Sequence, residues 1–458
     1  MTAIDAGEAP ALAGLQPPPK RVGFSLGRTG RDNPFERIPL AAYEQPVWRQ
    51  PTPFMRVFLV NDPAGLKRVL IDEVANYPKT PMERRFFRAL FGDGLLSSDG
   101  ETWRVHRRIM APSFDPRSVA SYAPAMAACA AAFAGEWAAL PERSERDVSA
   151  EMTRLTLEII SRTMFSADAG EMTGLTGAAL QEGADAAFSF NLLDVLPIIG
   201  PIRLAHKERL MGQIFAPMDG AIKRLIEARR ADAGKTDLLG RLVAALDEET
   251  GARLTPQEVR DEVLTIFVAG HETTASAMTF VWYVLSQHPV WEARLHAELD
   301  EVLGGRLPTE ADLPRLALTR RIIEETMRLY PPAPGLSARV ALKADEIAGA
   351  RIPRGAMIAV SSWVLHRHRL LWDEPERFDP DRFLPERSAG RPRFAYLPFG
   401  GGPRVCIGQM LAMTEATLIL ATLAQRFRLR LKAGQQVAIQ NRVTIRPRDG
   451  LPMTIEAR

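Results

Sequence analysis

Near its C-terminal end the chain reads Phe399-Gly-Gly-Gly-Pro-Arg-Val-Cys406-Ile-Gly408, and an apolar stretch of helical character follows from Ile407 to Arg426. A cysteine at the mouth of a helix lies against unpaired backbone N–H groups and the positive end of the helix dipole, which favours the thiolate. Gly400, Gly401, Gly402 and Gly408 carry no Cβ, so the backbone can come close to something broad and flat. Arg404, two residues before the sulfur, is a fixed cation suited to a carboxylate. The competing reading is a buried cysteine in a glycine turn, because free cysteine is among the most buried residue types.

A second group stands in the longest helical stretch. Thr255-Pro256-Gln257-Glu258 is a capping box with proline at the first helical position, and it predicts a helix over 256–287. At 1.5 Å per residue such a helix spans about 48 Å, enough to cross a domain. Val263 to Val268 is apolar on all sides, as in a helix buried in a large core. Its middle then reads Ala269-Gly270-His271-Glu272-Thr273-Thr274. A glycine, an acid and two hydroxyls are locally unfavourable there, which marks a functional site or a kink whose polar groups are satisfied locally. The Thr273 hydroxyl can bond the preceding turn or a ligand.

Three further constellations carry charge. Glu325-Thr-Met-Arg328 sets opposite charges on one helix face amid apolar neighbours. Phe378-Asp-Pro380-Asp-Arg382-Phe383 follows. Trp103-Arg-Val-His-Arg107 places an indole N–H and a guanidinium on one face, the competing reading being a solvated basic side chain.

Phe399, Gly402, Arg404, Cys406 and Gly408 in the order F-x-x-G-x-R-x-C-x-G resemble the haem-binding signature of the cytochrome P-450 family, and the other strings resemble its further motifs in its order, from about Phe54 onward. The resemblance implies a mainly α fold, a helix-rich single domain with a long central helix and a small β region. It implies haem b with Cys406 as the iron ligand, an arrangement that favours O–O cleavage. Trp103, Arg107 and Arg339 match its propionate-binding positions. Glu272 and Thr273 match its oxygen-activation motif and would relay protons, with glutamate in place of the commoner aspartate. Glu325, Arg328 and Arg382 match a structural charge cluster that supports the cysteine loop. By position, Met82, Phe86, Phe87, Leu90 and Phe91, in a loop before the tryptophan helix, would line an apolar substrate pocket. Phe188, Phe190 and Leu192 would roof it, Ile266, Phe267 and Ala269 would wall it, and Pro334 to Leu336 would form its rim, although any of these could be ordinary core. Asn191 to Pro201 reads as a lid or entry rim.

Composition is consistent with this and excludes little else. The 458 residues are 46% hydrophobic and 25% charged with a net charge of +3, too small to argue for nucleic acid. Two cysteines leave no disulfide framework. His366 and His368 lack companions for a tetrahedral metal set, and His271 reads as a satisfied core residue. Residues 1–35 read as a partly ordered lead-in to a single haem-thiolate domain over 36–458. Glu346 to Ile352 and Met357 to Trp363 read as a hairpin around Pro353-Arg354-Gly355. The N-terminus has no signal pattern and no apolar stretch of about 20 residues stands out, so the expectation is a cytoplasmic monomer without stable membrane insertion. No dinucleotide fingerprint or P-loop is present, so NAD(P)H electrons are expected from a separate ferredoxin and ferredoxin reductase, docking around Arg104, Arg107 and Arg108. The expected activity is insertion of one atom of O2 into a hydrophobic small molecule. Two alternatives are a peroxide-driven haem-thiolate enzyme and a non-catalytic haem protein that binds an apolar ligand.

Overall fold

The computed structural model describes residues 12–15, 17–20, 33–52, 55–166, 199–231, 237–247, 249–441 and 444–458. Its principal helices are α1 (Pro63–Lys67), α2 (Pro81–Phe91), α3 (Gly100–Met110), α4 (Pro116–Ala138), α5 (Val148–Phe165), α6 (Ile199–Ala231), α7 (Leu238–Ala244), α8 (Pro256–Gln287), α9 (Pro289–Leu303), α10 (Ala317–Leu329) and α11 (Gln409–Ala424). Several begin with the same device. Asp62, Thr80, Asp115 and Thr255 each accept a backbone N–H from the first turn, and each is followed by a proline whose missing N–H costs nothing there.

The capping box at Thr255 and Glu258 forms as expected, and α8 runs unbroken through the middle of the molecule. It packs on α5, α10, α6 and α11, with Val263, Leu264, Phe267, Met278, Phe280 and Val281 fully buried. α4 is long and apolar enough to span a bilayer, against the reading that no such stretch exists, but 56% of its most apolar window is buried inside the protein. It packs against α11 and α5 and carries the buried Cys129.

The β region is small. Strands β1 (Val47–Gln50), β2 (Val57–Val60), β4 (Arg339–Val340) and β7 (Met357–Ala359) form one sheet in the order β1-β2-β7-β4, with β2 and β7 parallel. β3 (Glu145–Asp147), β8 (Phe427–Leu431) and β11 (Pro452–Ala457) form another, and β9 (Ile439–Asn441) pairs with β10 (Ile445–Pro447). The expected hairpin is corrected here. β5 (Asp345–Ile347) pairs with β6 (Ala350–Ile352) around Ala348 and Gly349, both at positive φ as a tight two-residue hairpin turn requires. Pro353 to Gly355 instead leads β7 away to β2.

Part of the lead-in is packed on the domain. Leu12 and Leu15 are buried, Ala13 N–H donates to the Tyr283 hydroxyl at 2.9 Å, and the Tyr330 hydroxyl donates to the Ala13 carbonyl at 2.8 Å. The described part of residues 1–35 is therefore docked on α8 and the end of α10.

Candidate active site

The Cys406 loop is held by its own backbone and by the charge cluster behind it. Cys406 N–H donates to the Phe399 carbonyl at 2.9 Å, and Gly400 N–H to Leu397 at 3.2 Å. Leu397 N–H in turn donates to His366 Nε2 at 2.8 Å, so this buried imidazole is an acceptor, its pKa held well down by burial. The His366 carbonyl takes a bond from Arg328 at 2.9 Å. Arg328 forms a two-pronged pair with Glu325, both bonds 2.7 Å and both side chains fully buried. Its remaining donors reach the Pro375 and Arg377 carbonyls. Arg382 lies 3.5 Å from the same carboxylate and bonds the Glu374 carbonyl. Glu325, Arg328 and Arg382 thus meet as expected, and the chain of bonds leads from them to the cysteine loop.

Cys406 is itself exposed, yet protein surrounds it closely enough for burial to push the thiol up, against the pull of the Gly408 N–H and of Arg107. This corrects the expectation of a depressed pKa: one N–H and one guanidinium do not outweigh desolvation. Gly402 also serves another purpose than expected. At φ +72° it packs so tightly that a Cβ would sit 2.2 Å from the Leu70 carbonyl, so its neighbour is protein. A Cβ on Gly401 would stand 3.1 and 3.3 Å from the Phe394 and Leu397 side chains, a tight but milder contact, whereas Gly408 stays beside the Cys406 sulfur. Phe399 is half-buried.

Cations gather next to the loop. Arg107 donates to the Val405 carbonyl at 2.8 Å. Arg404 stacks over Trp103, 4.3 Å from the ring centre, pairs with Asp99 and donates to the Ser98 carbonyl. Arg339 is buried, and its guanidinium makes no hydrogen bond to described residues. Burial holds the pKa of all three arginines down. Lys79, which the sequence reading passed over, is 5% exposed beside Arg339 and Arg404, and burial with these neighbours lowers it to about 7. Only its place opposite Arg339 in the folded chain singles it out.

On α8, exposure returns in the middle of a buried helix. Ala269 is exposed and Gly270 to Thr273 are half-buried, between the buried runs Asp261–Phe267 and Thr274–Leu285. Thr273 Oγ1 donates to the Ala269 carbonyl at 2.8 Å. Glu272 instead accepts from Thr444 at 2.7 Å, and Arg446 adds a favourable charge contact. The two proposed relay residues are not bonded to each other. His271 Nδ1 lies 2.7 Å from the Phe267 carbonyl, and burial lowers its pKa, as for a satisfied core histidine.

The pocket expectations divide. Phe86 and Phe87 are half-buried and in edge contact at 5.5 Å, but they lie on α2 where a loop was expected. The Thr80 cap and Pro81 explain the helix. Leu336 is half-buried and lies within 3.6 Å of where a Cβ on Gly400 would stand. Ile266 is buried, and Phe267 is fully buried against Phe165 and His271, so Phe267 is core. Phe188, Phe190, Leu192 and most of the expected lid lie outside the described residues. The docking face is also altered: Arg107 turns inward to Val405, and Arg108 is tied to Asp247 at 2.9 and 3.0 Å.

These residues fit a haem: an exposed cysteine at the start of α11, and a surplus of partly desolvated cations beside it for its carboxylates. A model of the cytochrome P450 family matches residues 16–451. Cyclooctatin synthase of Streptomyces melanosporofaciens is 38% identical over 401 residues, covering 87% of this chain and 84% of that protein. Cyclooctat-9-en-7-ol 5-monooxygenase of the same organism is 36% identical over 425 residues, covering 86% and 88%. Pentalenene oxygenase of Streptomyces avermitilis is 35% identical over 360 residues, covering 76% and 77%. The crystal structure of the cytochrome P450DA heme domain superposes with a TM-score of 0.80 at 29% identity, over 90% of each chain. The chain belongs to the cytochrome P450 family. It is a monooxygenase with haem b as cofactor, using O2 and electrons that reach it from NAD(P)H through a redox partner.

Proposed function

We propose that the enzyme hydroxylates a cyclic, unsaturated hydrocarbon or an alcohol derived from one, with Cys406 as the iron ligand. The observation that carries this reading is the pair of exposed surfaces, Cys406 and Ala269, set in otherwise packed elements. The names of two relatives, pentalenene oxygenase and cyclooctat-9-en-7-ol 5-monooxygenase, denote an alkene and a cyclic alkenol, which supports the substrate class. Haem held here supplies dioxygen reduction and transfer of one oxygen atom to carbon. Trp103, Arg107, Arg339 and Arg404 hold its carboxylates. Half-buried Phe86, Phe87 and Leu336, with Ala269, offer the substrate apolar surface and keep water from it. Thr273 holds a proton at Oγ1 near the exposed turn, and Glu272, held by Thr444, is the residue that would replace it. Electrons come from a ferredoxin and its reductase, to a cytoplasmic, monomeric enzyme.

The test is spectroscopic. Reduced wild-type protein with carbon monoxide gives the long-wavelength thiolate band, Cys406→Ser loses it, and Cys129→Ser keeps it. A retained band in Cys406→Ser overturns the assignment. In the same samples NADPH alone leaves the haem oxidised, and adding ferredoxin with its reductase reduces it. Cyclic alkenes and alkenols, added to the ferric protein, shift the Soret band where open-chain fatty acids of equal carbon number do not.

A further inference from the structure

Behind the exposed turn of α8 stands α5, and three contacts in reversed chain order set the two helices antiparallel there. The Phe165 and Phe267 rings lie 6.2 Å apart, a Cβ on Gly270 would stand 2.3 Å from Ile160 Cδ1, and Thr156 Oγ1 donates to the His271 carbonyl at 3.0 Å. Thr156 and Ile160 are one helical turn apart and share a face of α5, and both are buried, at 0% and 5% exposure. The missing side chain of Gly270 therefore points at α5, and the helix propensity lost with a glycine goes with close approach of two helices. Neighbouring carbonyls are taken up from within α8: His271 Nδ1 lies 2.7 Å from the Phe267 carbonyl, and Thr273 and Thr274 donate to Ala269 and Gly270 at 2.8 and 3.2 Å. The His271 carbonyl, which shares its peptide unit with the Glu272 nitrogen, is taken up from another helix. The Thr156 hydroxyl has one proton, and the Met152 and Thr153 carbonyls of its own helix are also in reach at 3.0 and 3.2 Å.

We propose that Thr156 and Ile160 are positioning residues: together they hold the Gly270–His271 backbone against α5 and so set where Thr273 Oγ1 and the Glu272 carboxylate stand. This rests on the reading of those two residues as the ones that hold and replace a proton at the site. Both α5 residues act through α8. Ile160 fixes the distance between the helices. Its Cδ1 fills the place of a side chain at 270, so a side chain there drives α8 away from α5 or Ile160 out of its packing. Thr156 fixes the peptide between His271 and Glu272, and Thr273 follows directly in the chain. A misplacement of about 1 Å at a reacting group lowers rates by up to about a hundredfold, so a modest slip of α8 is read out as lost coupling.

Hydrogen peroxide released per NAD(P)H consumed is measured for wild-type, Thr156→Val and Thr156→Ser holoenzymes, with ferredoxin, its reductase and a cyclic alkenol that shifts the Soret band. In the diverted reaction O2 takes two electrons and two protons and leaves as hydrogen peroxide, the alkenol untouched. Thr156→Val keeps the shape of the side chain and the long-wavelength carbon monoxide band, and its peroxide yield rises about threefold. Thr156→Ser, which keeps the hydroxyl, stays near wild type. Wild-type yield in Thr156→Val, or an equal rise in both variants, overturns the proposal. The glycine contact is tested without turnover, by the unfolding midpoint of the holoenzyme. Gly270→Ala lowers it in the wild-type background. Ile160→Val removes Cδ1 and leaves Cγ1 in ordinary contact at 3.7 Å, and in that background Gly270→Ala is tolerated. Additive losses from the two substitutions overturn the proposal. If Gly270→Ala alone yields no holoenzyme, recovery in the double variant supports the contact and failure there overturns it. A fault in the proton reading shows separately, as wild-type coupling in Thr273→Ala.

Discussion

Thr273 and Glu272 are neighbours in sequence but point about 100° apart around the helix axis. This is why one hydroxyl turns to Ala269 while the other residue turns to Thr444. They hold separate positions on any proton route, so their variants should differ. Thr273→Ala leaves haem content and substrate affinity close to wild type. It lowers product formed per NAD(P)H consumed, the missing electrons appearing as hydrogen peroxide. A tenfold loss of substrate affinity, about 1.4 kcal/mol, with coupling intact would make Thr273 part of the pocket wall. Thr444→Val frees the Glu272 carboxylate without removing it, and it slows turnover less than Glu272→Gln does when both are measured at saturating substrate. A second acid sits on the neighbouring helix. Glu415 on α11 is buried, its Oε1 has no hydrogen-bond partner among the described residues, and burial raises it to about 8 with the Thr274 hydroxyl opposing. The folded protein then holds a proton that the unfolded chain has lost between the ordinary carboxylate range and about 8. Stability falls with rising pH across that window. In Glu415→Gln this part of the slope disappears, which melting temperatures of the holoenzyme at pH values inside the window will show.

Elements explain why some of these residues could be read from the chain and others could not. Motifs that act through local spacing were legible. The capping box set the start of α8, and Glu325 and Arg328 share a face because they are three residues apart on α10. Contacts between distant segments left no such trace. Lys79 gains its meaning from Arg339, Gly402 from the Leu70 carbonyl, and β7 from its parallel pairing with β2. Phe267 read as pocket wall because a helix apolar on every side gives no phase to its faces. Bonds run from α10 through His366 to Leu397, so the charge cluster is tied to the segment that leads into the cysteine loop. Arg328→Met leaves Glu325 charged and buried without its main partner. The expected cost is about 3–5 kcal/mol, seen as a lower unfolding midpoint, with haem lost during purification. The conservative Arg328→Lys recovers little of it, since an ammonium cannot bridge both carboxylate oxygens.

At the scale of the whole molecule, the docked N-terminal segment joins parts of the chain that are synthesised far apart. The Ala13 carbonyl meets the Tyr330 hydroxyl across 317 positions of sequence, and its N–H meets Tyr283 across 270. The segment around Ala13 must therefore wait until Tyr283 and Tyr330 have been made before it finds its seat. Closing so long a loop is entropically costly, so docking belongs to the last stage of folding. Until then Leu12 and Leu15 stay in solvent. Tyr330→Phe removes one bond at a cost of about 1 kcal/mol. The loss should fall almost wholly on the unfolding rate, leaving the refolding rate unchanged. In native-state hydrogen exchange the Ala13 amide should open well before the amides of α8, so the segment that docks last is also the one that lets go early.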